Sequence, residues 1–352
     1  MIRVMIVDDS PSVCELLAHI LGSDGDIQIV GIASNGSEAV AVVHRLRPDV
    51  ITMDIHMPKL NGLEATRQIM EIYPLPIVIV SGTDPNDIAM TFGATEAGAL
   101  AALHLPPGMD HPDFAALSRE FIQTIKLMAE VKVIRRWSRA PRVTVQRQPS
   151  ICLQPASPNM EVVALGASTG GPAVLQTILA GLPKNFPAPV IVVQHMTSGF
   201  IQGLIEWLAQ SSTLPVQLAA HNEEIVPGRV YVAPDELQMK VARGGRVLLT
   251  EGVSENGLRP SVSCLFRSVA EIYGASAVAG LLTGMGRDGA LELKLLRDKG
   301  AVTFAQDRES SVVHGMPGEA IKLNAAKLVL PPEKIAPFLA SLANNKTAQL
   351  ST

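Results

Sequence analysis

Twice along this chain, short β-branched and aliphatic runs alternate with stretches of helical periodicity, and a polar segment separates the two series. In the first series, Ile2–Val7, Ile27–Ala33, Val50–Met53 and Ile77–Val80 read as strands, with helices over Ser12–Leu21 and Gly36–Leu46. In the second, Val162–Leu165, Val190–Val193, Arg229–Val232, Val278–Leu282 and Ala301–Ala305 read as strands, with a helix over Ala173–Leu179. Apolar strands separated by helices are the pattern of a parallel sheet covered on both faces. The expected fold is therefore α/β in two domains. Phe121, Ile125 and Met128 extend a helical stripe toward Trp137, and the following stretch, rich in Pro, Ser, Gln and Arg, reads as a connector. The expected boundaries are 1–121 for the first domain, 122–160 for a helix and linker, and 161–345 for the second domain.

Composition narrows the function classes. A net charge of −4 gives no reason to expect nucleic acid. Three widely spaced cysteines, Cys14, Cys152 and Cys264, form neither a CxxC pair nor a disulfide framework, which fits a reducing cytosol. No run approaches the roughly 20 apolar residues that cross a bilayer, and the first residues lack the pattern of a signal peptide. A cytoplasmic location without membrane insertion is the expectation.

The residues that end the strands carry the chemistry. Asp8 and Asp9 follow the first strand, and Asp54 follows the third. Strand C-terminal ends of a parallel sheet share one edge, so these carboxylates are expected to converge there. Crowded carboxylates repel one another unless a cation or protons compensate. A hard cation such as Mg²⁺ suits them, and Asp54 is placed to attack a phosphoryl donor. Ser81, at the end of the fourth strand, offers a hydroxyl to that phosphate. Singly, each acidic residue reads as a solvated loop residue. The combination of the Asp pair, D-x-x-M-P-x-x-x-G over Asp54–Gly62, and Ser81 is far more specific.

In the second series, GASTGGP places Ser168 just past a strand and before a helix. The motif alone is compatible with a nucleophile elbow and with a phosphate-cradling glycine loop. His195 follows one strand directly and Asp288 lies in a glycine-rich loop past another. In isolation the first reads as a core histidine and the second as a turn or cap residue. Together with Ser168 on one sheet edge, they have the chemistry of an acyl-transfer triad: His195 as base, Asp288 as the group that orients it. No metal ligand set is needed for that chemistry. The order Ser, His, Asp differs from the Ser, Asp, His order of α/β-hydrolases.

The first 120 or so residues resemble the receiver domain of bacterial response regulators, a flavodoxin-like fold. That resemblance implies that Asp54 is the phosphoacceptor, that Asp9, Asp54 and the main-chain carbonyl of His56 bind Mg²⁺ with Asp8 in the outer shell, and that a histidine kinase is the phosphodonor. One departure stands out. Receivers carry Lys-Pro at the end of the fifth strand, whereas this chain has Leu105-Pro106, with Ala102 at the position of the switch aromatic. Loss of a charge-assisted contact weakens the expected phospho-switch.

GASTGGP, VVQHM, GRVYVAPDE, NGLRPSVSCLFRS, LTGMGRDGA and AQDRESSVVHGMPGEAI, with the receiver in front, resemble chemotaxis-type protein-glutamate methylesterases over nearly the whole chain. The resemblance implies a doubly wound, Rossmann-like esterase domain regulated by the receiver. It also implies hydrolysis of glutamyl γ-methyl esters on chemoreceptors, with glutamine deamidation in some members. Carried over, Ser168 is the nucleophile, His195 the base and Asp288 the orienter, with Thr169 and Met285 supplying oxyanion N–H groups. Two other classes compete. One is a signalling adaptor acting through the receiver-like half, kept open there by Leu105. The other is a nucleotide-binding oxidoreductase, disfavoured because ALGASTGG does not register with GxGxxG.

Overall fold

In a computed structural model, residues 1–82, 92–131, 133, 160–255 and 257–349 are described. The first domain is a five-stranded sheet of β1 (Ile2–Val7), β2 (Ile27–Ala33), β3 (Val50–Met53), β4 (Ile77–Ser81) and β5 (Ala101–His104). Its strand order is β2-β1-β3-β4-β5, and every pairing is parallel. Alternate residues of β1 serve opposite faces. Val4 and Ile6 enter one core, and Met5 and Val7 enter the other. Each such fully buried aliphatic side chain contributes roughly 1.5–3 kcal/mol.

Local chemistry starts the covering helices. Pro11 opens α1 (Pro11–Gly22), since a first-turn residue needs no N–H partner. Asn35 caps α2 (Gly36–Leu46), accepting from the Glu38 N–H at 3.0 Å, and Asn61 caps α3 (Gly62–Ile72), accepting from Glu64 at 2.9 Å. A Cβ on Gly62 would lie 1.9 Å from the Asp54 carbonyl oxygen. The glycine that closes the D-x-x-M-P-x-x-x-G run is therefore required for α3 to approach the strand end carrying Asp54.

The helix expected to run toward Trp137 is α4 (Phe114–Ala129), with Glu130 as its C-cap; residues 134–137 lie outside the described residues. Residue 121, the expected end of the first domain, falls inside α4. Phe121, Ile122, Ile125 and Met128 all pack into the first domain's core, so the whole helix belongs to that domain. The connector that follows, 134–159, is likewise outside the described residues.

The second domain is a seven-stranded, all-parallel sheet plus a hairpin. Its strands are β6 (Val162–Ala167), β7 (Val190–Gln194), β8 (Val216–Leu218), β9 (Val230–Val232), β12 (Ala277–Leu281), β13 (Val302–Gln306) and β14 (Leu328–Leu330). The hairpin pairs β10 (Gln238–Ala242) with β11 (Arg246–Thr250). Strand order in the sheet is β14-β13-β12-β6-β7-β9-β8. The helices include α5 (Gly171–Gly181), α6 (Ile201–Ser211), α7 (Val262–Ile272), α8 (Ala290–Asp298), α9 (Met316–Lys322) and α10 (Pro332–Gln349). Separate cores fill the two faces of the sheet. No helix among the described residues is long and apolar enough to cross a membrane.

The two domains touch through the β5 side of the first. Phe92 stacks on Trp207 at 5.6 Å, and Glu96 accepts from Trp207 Nε1 (3.2 Å) and Gln176 Nε2 (2.9 Å). His104 Nε2 lies 2.9 Å from the Ser198 carbonyl oxygen, and its ring lies against Phe200. A cleft of about 1150 Å³ opens beside these contacts, lined by Glu96 and Val133 on one side and by Gly170, Ala173 and Val312 on the other.

Candidate active site

Chain order in each sheet reverses direction beside its first strand, and both groups of chemistry-bearing residues sit at that reversal. In the second domain β6 runs between β12 and β7. Ser168 lies one residue past β6, His195 directly follows β7, and Asp288 lies in the loop after β12. Three residues spread over 120 positions are thus brought to one edge because three neighbouring strands end side by side.

His195 Nε2 is 2.9 Å from Asp288 Oδ2. With Asp288 ionised, Nε2 carries the proton that is donated, which leaves Nδ1 as the basic nitrogen. No hydrogen bond joins the Ser168 hydroxyl to His195 among the described residues. Asp288 is 3% exposed, yet it is surrounded by donors. Its Oδ2 accepts from the Val262 N–H (2.6 Å), and its Oδ1 accepts from the Ser263 N–H (3.1 Å) and the Ser261 hydroxyl (3.3 Å). Burial pushes its pKa up, but hydrogen bonds from His195 and Ser263, the His195 charge and the Val262 N–H outweigh that and hold the carboxyl below its ordinary value. The N-terminus of α7 adds the positive end of a helix dipole.

The turn that carries Ser168 is pinned on both sides. The N–H of Ser168 is spent on the Thr283 carbonyl at 3.0 Å, and the Thr169 carbonyl accepts from the Thr283 hydroxyl at 2.9 Å. Thr283 is itself fixed, its N–H donating to Gln306 Oε1 at 2.8 Å. The N–H groups of Thr169 and Met285 make no hydrogen bond among the described residues, so both remain able to receive an oxyanion. Met285 follows Gly284, where a Cβ would lie 2.6 Å from the Ser168 Cβ.

Three groups that hold the site escaped the sequence reading. Gln194, whose Nε2 donates to the Ser168 carbonyl at 2.8 Å, and Thr283 hold the Ser168 turn, and Ser261 with the start of α7 holds Asp288. A serine directly after Pro260 and before a helix is a cap signal, and that signal could have found Ser261. Gln194 and Thr283 carry no signal beyond adjacency to His195 and to the glycine-rich loop.

The first domain's site has the opposite electrostatics. Asp8, Asp9 and Asp54 each offer a carboxylate oxygen within 4.8 Å of the others. Asp8 is 7% exposed, and its pKa is pushed up to about 6, first by burial and then by its neighbours Asp54 and Asp9, against a hydrogen bond from the Ser10 N–H. A cluster of like charges with a raised pKa fits a hard divalent cation such as Mg²⁺. His56 lies two residues past Asp54 in the loop toward α3. Ser81 ends β4, buried and in register with His104 of β5. Leu105 packs its side chain against the first domain's core, while its N–H donates to the Ser81 carbonyl at 3.0 Å. Lys126, the next lysine along the chain, is held by Asp24 and Asp26 before β2, on the opposite edge of the sheet. Ala102 packs among apolar neighbours in β5.

Comparison with known proteins agrees with this architecture. The CheB methylesterase family model matches residues 163–339, and the response regulator receiver domain model matches residues 4–107. A protein-glutamate methylesterase/protein-glutamine glutaminase of Nitrosospira multiformis is 57% identical over 97% of both chains. One from Geobacter metallireducens is 55% identical over 98% of this chain and all of its own length. The CheB methylesterase catalytic domain of Thermotoga maritima, 41% identical, superimposes with a TM-score of 0.51 over 52% of this chain and 98% of its own. The chain belongs to the family of receiver-linked CheB methylesterases.

Proposed function

We propose that this chain hydrolyses γ-methyl esters of glutamyl side chains on chemoreceptor-type proteins, and side-chain amides of glutamine at the same kind of site, through Ser168, His195 and Asp288. The observation that carries this reading is the buried His195–Asp288 pair at 2.9 Å, beside the nucleophile turn of Ser168. The Ser168 hydroxyl attacks the ester carbonyl while His195 takes its proton, and the oxyanion turns toward the Thr169 and Met285 N–H groups. His195 then returns the proton to the departing methoxide, releasing methanol and leaving an acyl-serine. Water, deprotonated by His195, attacks the acyl-serine, and His195 passes that proton to the departing Ser168 oxygen, which frees the glutamate and restores the serine; on an amide, ammonia leaves in place of methanol. No metal takes part in this reading of the ester chemistry.

The receiver half governs access in this reading. Its His104 rests on the carbonyl of Ser198, three residues past the base, and its Glu96 and Phe92 hold α5 and α6. Asp54 is the phosphoacceptor, a histidine kinase the donor, and the cytoplasm the location. Asp9, Asp54 and the His56 main-chain carbonyl hold Mg²⁺, with Asp8 behind them. When bound, the ion neutralises charge on the phosphoryl group. Asp54 supplies the attacking oxygen, and the Ser81 hydroxyl is placed to donate to the phosphate.

Methanol release from a methylated receptor tests the reading. Ser168→Ala is expected to reduce release to background without a change in the melting curve; near-normal release by the folded variant would sink the assignment. Residues 160–352 alone are expected to act faster than the full chain. Equal rates mean that the receiver does not restrain the site.

A further inference from the structure

Gln194, the last residue of β7, is 3% exposed and lies between the nucleophile and the base. Its Nε2 donates to the Ser168 carbonyl at 2.8 Å and to the His195 carbonyl at 2.7 Å. Both acceptors are main-chain oxygens, which settles which end of the amide is nitrogen. The other end, Oε1, is buried and has no hydrogen-bond partner among the described residues. It faces α5 so closely that a Cβ on Gly171 would lie 2.1 Å from it. A buried, unpaired amide oxygen is costly, and an apolar side chain of the same length would avoid that cost. The nitrogen end therefore calls for an explanation.

The peptide plane supplies one. In a planar trans peptide the C=O of one residue and the N–H of the next point in opposite directions. Pulling the Ser168 carbonyl toward Gln194 turns the Thr169 N–H the other way, leaving it free for an oxyanion. The second bond fixes the end of β7, and with it the backbone of His195. We propose that Gln194 is a positioning residue: one carboxamide clamps the nucleophile's peptide and the base's peptide together, and so aims the Thr169 N–H at the developing oxyanion. The Ser168 carbonyl also accepts the Gly171 N–H at 2.7 Å. Loss of Gln194 thus loosens the peptide without freeing it.

This proposal rests on the esterase reading, and the test separates the two. The probes are a methylated receptor and a glutamyl peptide whose γ-carboxyl is replaced by a trifluoromethyl ketone, which Ser168 converts to a hemiketal oxyanion. In the full chain, Gln194→Met is expected to lower kcat roughly 10- to 100-fold, with KM within about twofold. Ketone affinity should fall by the same factor as kcat/KM, while affinity for the free glutamyl product peptide holds. Gln194→Glu, isosteric and without a donor while ionised, should reproduce the loss and guards against misfolding of the first variant. Unchanged kcat in either folded variant, or equal weakening of ketone and product peptide, overturns the clamp and leaves the esterase reading standing. A wild-type chain that neither releases methanol nor binds the ketone overturns both.

Discussion

Asp8 and Asp288 both lie beyond the C-terminal end of a strand in a parallel sheet, near the reversal of strand order, and both are buried. Their carboxyls are nonetheless shifted in opposite directions. Asp8 has Asp9 and Asp54 beside it and is pushed up to about 6. Asp288 has an imidazole, two main-chain N–H groups and a hydroxyl around it and is held down. Burial acts the same way on both, so the donors decide the sign. One site is left short of positive charge and suits a cation that comes and goes. The other is already compensated by protein groups and suits a charge that must stay in place through turnover.

The largest effect expected from this contrast is on catalysis. Asp288→Asn should lower kcat about 10³- to 10⁴-fold by losing the group that sets the His195 tautomer. Asp8→Asn should leave hydrolysis by the unphosphorylated chain within about twofold. Steady-state methanol release measures both, and equal losses would show that the two carboxylates are not doing different jobs.

Next comes cation binding. The proton that Asp8 holds below about pH 6 opposes Mg²⁺, because it removes a negative charge from behind the ligands. The ion's apparent affinity should be nearly constant above that pH and fall as pH drops below it. Mg²⁺ titrations between pH 5 and pH 8 check this, and a flat profile would mean that Asp8 does not sense the site.

Metal-free stability gives a smaller effect with a distinctive sign. Between about 6 and its ordinary value of 3.8, Asp8 holds a proton in the folded state that the unfolded chain releases. The first domain should therefore gain stability as pH falls through about 6. The contribution of Asp288, being lowered, is present above its ordinary value of 3.8 and is lost only as pH falls through its lower folded value. Lowering pH from 7.5 to 5.0 without Mg²⁺ should raise the first domain's melting temperature by roughly a few degrees, with no matching contribution from Asp288. Calorimetry that showed the first domain losing stability over this range would contradict the Asp8 assignment.

The smallest effects concern the link between the sites. With Leu105 packed into the core and Lys126 on the far edge, a small phosphodonor should stimulate the full chain weakly, and Leu105→Lys should strengthen the response. His104→Ala should raise basal hydrolysis by roughly two- to threefold, since it removes one hydrogen bond and one ring contact between the domains. Strong stimulation of the unaltered chain, abolished by Asp54→Ala, would show that another group does the lysine's work.

Much of this was readable in the sequence because it is local. The strand over Ile27–Ala33 and the helix over Gly36–Leu46 follow from side-chain periodicity and an Asn cap, which act over a few residues. Ser168, His195 and Asp288 stood out because each follows a strand, and a parallel sheet brings strand ends to one edge. Tertiary structure decided what depends on contacts between distant segments. The placing of β12 and β7 on either side of β6 joins Asp288 to His195 across 93 positions. The same packing selects the imidazole nitrogen that faces Asp288 and puts the start of α7 behind that carboxylate. It also brings Gln194 to the Ser168 carbonyl and ends α4 at Ala129, where the apolar stripe alone would have carried it further. Periodicity records which face of an element is apolar, but not which neighbour covers that face. Neighbours are chosen when long loops close, by packing and hydrogen bonding that no short window of residues contains.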